Sequence, residues 1–165
     1  MDDTHDGRYA REPQIEDLAR IARALNDAGA RYILIGGFAV IALGGARTTK
    51  DIDLLIDPSS ENVARVKAAL RVLEDHAADD VANDDIARYT VVRIADEIVV
   101  DLMGAACGVD YATAAKDAQT ITIGGVSVPI ASLTTLIRTK QTIRPSDAAD
   151  RLYLEALLQV ERDDH

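Results

Sequence analysis

The sequence predicts an α+β protein in which a small mixed β-sheet is flanked by helices and the C-terminal helices pack on the core. Two observations favour this class. Apolar residues recur with helical spacing near both ends of the chain, and two strand-like segments follow each other directly between residues 88 and 103. Short sequential strands with helices on either side are typical of a mixed sheet, whereas a doubly wound fold alternates strands and helices throughout.

The length and composition suit one domain with an aliphatic core. The chain has 165 residues, of which 48% are hydrophobic and only 4% aromatic. We expect a flexible, polar N-terminus at 1–12 and a single domain at 13–165. The net charge of −10 argues against a broad basic surface that binds nucleic acid by neutralising phosphates, although a local basic patch or a contact through metal ions is compatible with it.

The sequence also indicates where the protein works. Cys107 is the only cysteine, so an internal disulfide is excluded, which suits a reducing compartment. The N-terminus has no hydrophobic signal region, and the uncharged run at 32–46 is too short to span a bilayer and contains four glycines. We therefore expect a cytoplasmic protein without membrane contacts.

The N-terminal half is predicted to alternate helices and strands. Ile15, Leu18, Ala22 and Leu25 have helical spacing, and Gly29 follows them at a typical helix end. The expected elements are a helix at 14–28, a strand at 31–35, a short helix at 38–43, a strand at 51–56 and a helix at 59–73.

The C-terminal half begins with an acidic run at 74–85, which we interpret as a solvated loop. Turn residues and helical spacing then divide the remaining chain. The expected elements are strands at 88–95 and 97–103 joined by a tight turn near Asp96, a helical piece at 111–118, a hairpin or bent strand at 120–130 around Gly124-Gly125, and helices at 132–143 and 146–160 separated by Pro145.

Carboxylates in the strand segments are the first candidate functional residues. Side chains alternate along a strand, so Asp51 and Asp53 share one face about 7 Å apart. Asp101 lies in a strongly apolar strand and would join them if the two strands pair. Clustered carboxylates repel each other but are suitable ligands for Mg²⁺. The alternatives are the wet face of an edge strand for the first pair, and a capping or salt-bridging role for Asp101.

Gly36 and Gly37 form a second candidate site. They end one predicted strand and begin a short helix, where free N–H groups and close backbone approach favour a phosphate. A tight turn without a ligand is the simpler explanation of the same pattern.

Residues 34–56, LIGGFAVIALGGARTTKDIDLLI, resemble the signature of the DNA polymerase β-like nucleotidyltransferase superfamily. The superfamily pattern is a hydrophobic strand, Gly-Gly or Gly-Ser, a short helix, then Asp-hydrophobic-Asp, with a third Asp on a later strand. Gly36, Gly37, Asp51, Asp53 and Asp101 match this pattern in order and approximate spacing. The resemblance implies the nucleotidyltransferase fold.

A narrower resemblance rests on Arg47 and Thr49. Together with the two following aspartates they give the form R-x-T-x-D-I-D, which is similar to the AbiEii-type and related small nucleotidyltransferases. Some of those proteins are toxins of toxin–antitoxin pairs, so an antitoxin partner is implied as one option.

The C-terminal region continues the resemblance. Lys140, Arg144 and Asp147 match the family pattern Leu-Ile-x-x-Lys followed by Arg-Pro-Lys-Asp, whereas Ser146 stands where the family commonly has lysine. From the residues alone, Lys140 either extends to solvent from a helix end or reaches into the site. For Arg47 and Arg144 the alternative is plain surface charge.

These resemblances imply transfer of a nucleoside monophosphate from a nucleoside triphosphate, such as ATP, to an acceptor hydroxyl with Mg²⁺ or Mn²⁺. The acceptor is RNA, a protein or a small molecule, and a homodimer could share the site. The alternative is a catalytically degenerate module that binds a nucleotide or a protein partner. The implied catalytic residues and metal ligands are Asp51, Asp53 and Asp101, and the implied nucleotide-binding residues are Gly36, Gly37, Arg47, Thr49, Lys140 and Arg144.

Overall fold

The computed structural model describes residues 10–164. Most of the N-terminus that we expect to be flexible (1–9) lies outside the described residues, so that expectation stays a prediction. Within the described chain, a mixed six-stranded sheet is flanked by helices, and the α+β class is confirmed. No helix in this part of the chain combines the length and apolarity needed to cross a membrane.

The N-terminal elements agree with the sequence prediction to within a few residues. They are α1 (Ile15–Asp27), β1 (Tyr32–Ile35), α2 (Gly36–Ala42), β2 (Asp51–Ile56) and α3 (Ser60–Leu70). The Asp17 carboxylate accepts the Gln14 N–H at 2.7 Å where α1 begins, and the Ser59 hydroxyl accepts the Asn62 N–H at 3.3 Å where α3 begins. These caps define where both helices start.

The central segment differs from the prediction. It contains a 3-10 turn (Ala77–Asp80), α4 (Asp85–Arg88), β3 (Val92–Ala95), β4 (Val99–Met103), a two-stranded ribbon of β5 (Ala105–Ala106) and β6 (Val109–Asp110), and α5 (Tyr111–Ala115). The acidic run is therefore not simply a solvated loop. The buried Asp96 carboxylate accepts the N–H groups of Asp75 and Ala77 at 2.8 and 2.9 Å, and Ala78 is buried beneath them.

The C-terminal elements are the hairpin of β7 (Gln119–Ile123) and β8 (Val126–Ile130), followed by α6 (Leu133–Thr139) and α7 (Pro145–Asp163). Pro145 occupies the first position of α7, where its missing N–H has no helical partner to lose. Leu136 of α6 and Leu154 of α7 are fully buried in the hydrophobic core. The C-terminal helices thus pack on the core, as predicted.

The strand order of the sheet is β3-β4-β2-β1-β8-β7. β2 runs parallel to β4 and β1 parallel to β8, whereas the other neighbours are antiparallel. β2 lies at the centre of this order with β1 on one side and β4 on the other. The segments that carry the candidate site residues are therefore adjacent in the sheet.

Candidate active site

One row of paired residues crosses four strands of the sheet. Ile35 of β1 pairs with Asp53 of β2, Asp53 pairs with Asp101 of β4, and Asp101 pairs with Arg93 of β3. Neighbouring strands lie about 4.8 Å apart, so the row has the width of a small ligand. Gly36 follows Ile35 directly, which places the Gly-Gly turn at one end of the row and Arg93 at the other.

Two of the three aspartates predicted as metal ligands lie in this row, and the third, Asp51, precedes Asp53 by two residues on β2. One carboxylate oxygen each from Asp51, Asp53 and Asp101 lie within 4.8 Å of one another. Asp101 is 6% exposed, and the other two are half-buried. A cluster of carboxylate oxygens at this separation has the donor chemistry that a hard divalent cation requires.

Burial and mutual repulsion perturb the carboxylates. Burial raises the pKa of Asp53 to about 7, and the charges of Asp51 and Asp101 contribute to the increase. The pKa of Asp51 is also raised, first by burial and then by Asp101. Both shifts show that the ionised cluster is costly to the metal-free fold, because each group retains its proton to a higher pH than in water.

Arg93 is the site residue that the sequence reasoning missed. Its guanidinium donates from Nε to Asp101 Oδ1 and from Nη2 to Asp101 Oδ2, both at 2.9 Å, and Nη2 lies 3.2 Å from Asp51 Oδ2. The hydrogen bond to Asp101, followed by the charges of the carboxylates, raises the Arg93 pKa above its ordinary value. A signal was available, because a tight turn near Asp96 pairs residues 93 and 101 in a hairpin.

Gly36 is required by the close packing of the turn against Asp53. Its φ is +79°, and a Cβ at this position would lie 2.2 Å from Asp53 Oδ2. A Cβ on Gly37 would lie 3.0 Å from Thr49 Oγ1 and 3.1 Å from Arg47 Cζ. The turn therefore lies against the second carboxylate on one side and against two of the predicted nucleotide-binding residues on the other.

Lys140 points into the protein rather than to solvent, and its contact with a nucleotide stays a prediction. Lys140 directly follows the last residue of α6, and its side chain is 6% exposed. Its Nζ atom lies 2.9 Å from Asp150 Oδ2 and 3.3 Å from Asp147 Oδ1. The positive charge of Lys140 lowers the pKa of Asp53 against the stronger effects of burial and repulsion. The ammonium is therefore close enough to influence the carboxylate cluster.

The two predicted arginines pair with the same two aspartates that contact this buried lysine. Arg47 donates to Asp150, whereas Arg144 is 70% exposed and contacts Asp147 at 3.0 Å. Asp150 was not predicted; its spacing of three residues from Asp147 places both on one face of α7 and was the available signal. Lys140 and Arg47 thus share one buried carboxylate.

A mixed sheet that places a Gly-Gly turn beside three clustered carboxylates is the arrangement of the nucleotidyltransferase class. The family model described as "Nucleotidyl transferase of unknown function (DUF2204)" matches residues 14–161, and the chain belongs to this family. The predicted enzyme class and the superfamily are thereby confirmed.

A solved structure gives the same fold. It is described as that of a "putative nucleotidyltransferase" from Thermotoga maritima, with a TM-score of 0.54 and 14% sequence identity. The match covers 92% of this chain and 93% of the other. No curated protein matches the chain significantly.

Proposed function

We propose that the protein transfers a nucleoside monophosphate from a nucleoside triphosphate to an acceptor hydroxyl and uses Mg²⁺ or Mn²⁺ to do so. The observation that carries this proposal is the cluster of Asp51, Asp53 and Asp101 beside the Gly36 turn. Family membership supports the reaction class, and the carboxylate cluster supports the metal dependence.

In this proposal Asp51, Asp53 and Asp101 hold the divalent cations. When bound, the cations neutralise the triphosphate and favour loss of the acceptor's proton. Asp101, which stands between Asp53 and the outer strand, accepts that proton. The acceptor oxygen forms a bond to the α-phosphorus, the bond from this phosphorus to the β-bridging oxygen breaks, and pyrophosphate leaves with the electron pair.

The triphosphate would lie on the Gly36 side of the row. Glycine at positions 36 and 37 permits close approach to the backbone, and Thr49 places a hydroxyl beside Gly37. Arg47 lies beside Thr49 and, together with Lys140, supplies positive charge to this region. Arg144, whose side chain is largely exposed, would reach the terminal phosphate from the start of α7.

The acceptor would approach from the β3 side of the row, since the triphosphate occupies the opposite end. The candidates are an RNA end, a protein hydroxyl and a small molecule. The R-x-T-x-D-I-D form (47–53) supports an AbiEii-type, toxin-like assignment with an antitoxin partner. A homodimer that contributes surface to the acceptor site is part of the same proposal. We propose cytoplasmic action, consistent with one cysteine in the whole sequence.

The second candidate function is a degenerate module that binds nucleotide or a protein without catalysis. One specific observation favours it: Arg93 is ion-paired with two of the three carboxylates. Ser146, which replaces the lysine common in the family pattern, is a further departure.

A transfer assay distinguishes the two functions. Purified protein is incubated with Mg²⁺, each of the four α-labelled nucleoside triphosphates in turn and a cell extract. Asp53→Asn tests the cluster, and Asp80→Asn is the matched control because Asp80 is an exposed aspartate outside it. Label on RNA, protein or a small molecule with the wild type and the control, but not with Asp53→Asn, supports the enzyme and names its acceptor class. Equal labelling by Asp53→Asn would refute the assigned metal site.

A further inference from the structure

The guanidinium of Arg93 lies between two of the carboxylates that a divalent cation would use. Its Nη2 atom is 2.9 Å from Asp101 Oδ2 and 3.2 Å from Asp51 Oδ2. The second donor, Nε, contacts the remaining Asp101 oxygen at 2.9 Å. Arg93 therefore engages both oxygens of one proposed ligand and one oxygen of another.

This position is incompatible with a cation shared by the same two oxygens. Divalent cations of the Mg²⁺ type bind carboxylate oxygens at about 2.1 Å, inside the space that Nη2 fills. The arginine also neutralises part of the negative charge that attracts a cation. Arg93 must move away from Asp51 before Asp51 and Asp101 can hold an ion together.

The surroundings of Arg93 permit that movement. The residue lies on β3, which is the outermost strand of the sheet, and its side chain is 55% exposed. Its described polar partners are only Asp51 and Asp101, so turning the side chain out to solvent removes contacts only from the two carboxylates that a cation would then hold. Because the Asp101 side chain is only 8% exposed, its bidentate pair with Arg93 is stronger than a fully exposed ion pair. The arginine therefore leaves only when a divalent cation takes over the charge of both carboxylates.

We infer that Arg93 is an internal competitor of the divalent cation: it holds Asp51 and Asp101 in the metal-free protein and lowers the affinity of the cluster for the ion. This inference rests on the proposed function, because it takes the cluster as the metal site. Arg93 stands at the opposite end of the row from Gly36, so its release makes carboxylate oxygens available to a cation on the acceptor side. Arg93 is a positioning residue for the carboxylates and a determinant of metal occupancy.

The test is a titration of the protein with Mn²⁺ alone at pH 8, with the free ion followed by electron paramagnetic resonance. The variants are Arg93→Gln, which removes the competitor, and Arg93→Lys, which keeps its charge. Arg71→Gln is the matched control, because Arg71 is 57% exposed and its charge pairs with Asp79 at 3.3 Å. Thermal unfolding of each variant establishes that it is folded.

We expect Arg93→Gln to bind Mn²⁺ about tenfold more tightly than the wild type, as loss of a charge-assisted contact to each ligand implies. Arg93→Lys should stay within about threefold of the wild type, and Arg71→Gln should be unchanged. Unchanged or weaker Mn²⁺ binding by Arg93→Gln, with binding retained by the wild type, overturns the inference but leaves the metal site intact. Absence of Mn²⁺ binding in all variants overturns the metal site itself.

Discussion

Replacing Asp53 by asparagine should stabilise the metal-free protein and make its stability less dependent on pH. Burial and two neighbouring carboxylates raise the Asp53 pKa from 3.8 to about 7 in the folded chain. The folded state therefore binds this proton more tightly than the unfolded state does. The stabilising contribution of the proton is complete below pH 3.8 and is lost as the pH rises through about 7.

The size of the effect follows from the pKa difference. Each pH unit between the unfolded and folded pKa values costs about 1.4 kcal/mol, so ionisation of Asp53 reduces the free energy of unfolding by roughly 2 to 3 kcal/mol between pH 5 and pH 8. Asparagine has no charge to lose and avoids this cost. For a chain of this length, the Tm of Asp53→Asn minus the Tm of the wild type should therefore increase by about 7 °C from pH 5 to pH 8.

The assay is thermal unfolding of the wild type and Asp53→Asn at pH 5 and pH 8 in the presence of a chelator. Asp80→Asn serves as the control, since its carboxylate is exposed and outside the cluster. Excess Mg²⁺ at pH 8 should make the wild type more stable than Asp53→Asn, because the ion stabilises only proteins with the complete carboxylate cluster. A difference between wild type and Asp53→Asn that is the same at both pH values would refute the argument from repulsion and burial.

Three further predictions concern the turn, the buried lysine and the first helix. Gly36→Ala should cost about 3 kcal/mol in urea unfolding, because its Cβ would lie 2.2 Å from Asp53 Oδ2 at a φ of +79°; a cost below about 1 kcal/mol would contradict the packing described. Lys140→Met should lower the free energy of unfolding in urea by about 2 kcal/mol, because it leaves Asp147 and Asp150 without the ammonium. An unchanged urea midpoint would contradict this, since it would mean that the arginines alone compensate the charge of both aspartates. Asp17→Asn should reduce the free energy of unfolding by about 2 kcal/mol at pH 7, because a hydrogen bond from Arg11 lowers the Asp17 pKa to about 2. Unfolding measured at decreasing pH should show the difference between variant and wild type disappearing as the pH falls from 3.8 towards 2.

The sequence indicated the carboxylate cluster because strand alternation is a local property. Two aspartates separated by one apolar residue share a face wherever the strand lies. Asp101 was recognisable because a charged residue in an otherwise apolar strand requires a partner. The Gly-Gly pair was equally local, since glycines at the end of a strand are typical of a tight turn and of close backbone approach.

The partners of these residues were harder to predict, because they depend on pairing between separate segments. Arg93 reads as an ordinary strand residue until the register of β3 and β4 places it opposite Asp101. Asp150 reads as a solvated residue of an amphipathic helix until α7 packs beside Lys140. The acidic side chains of the run at 74–85 are mostly exposed, as expected, but its ordered turn was not predicted, because the buried Asp96 that binds its backbone lies in a different turn.

The row of paired residues also has a consequence for how the chain folds. β1 and β2 form one antiparallel pair, β3 and β4 form another, and each pair is close in sequence. The parallel contact of β2 with β4 joins residues 51–55 to residues 99–103, and such non-local pairing forms slowly because a long loop must close first. The boundary between these two units runs between Asp53 and Asp101. An ion held by both aspartates would cross-link the two strand pairs and slow unfolding more than it changes the rate of folding.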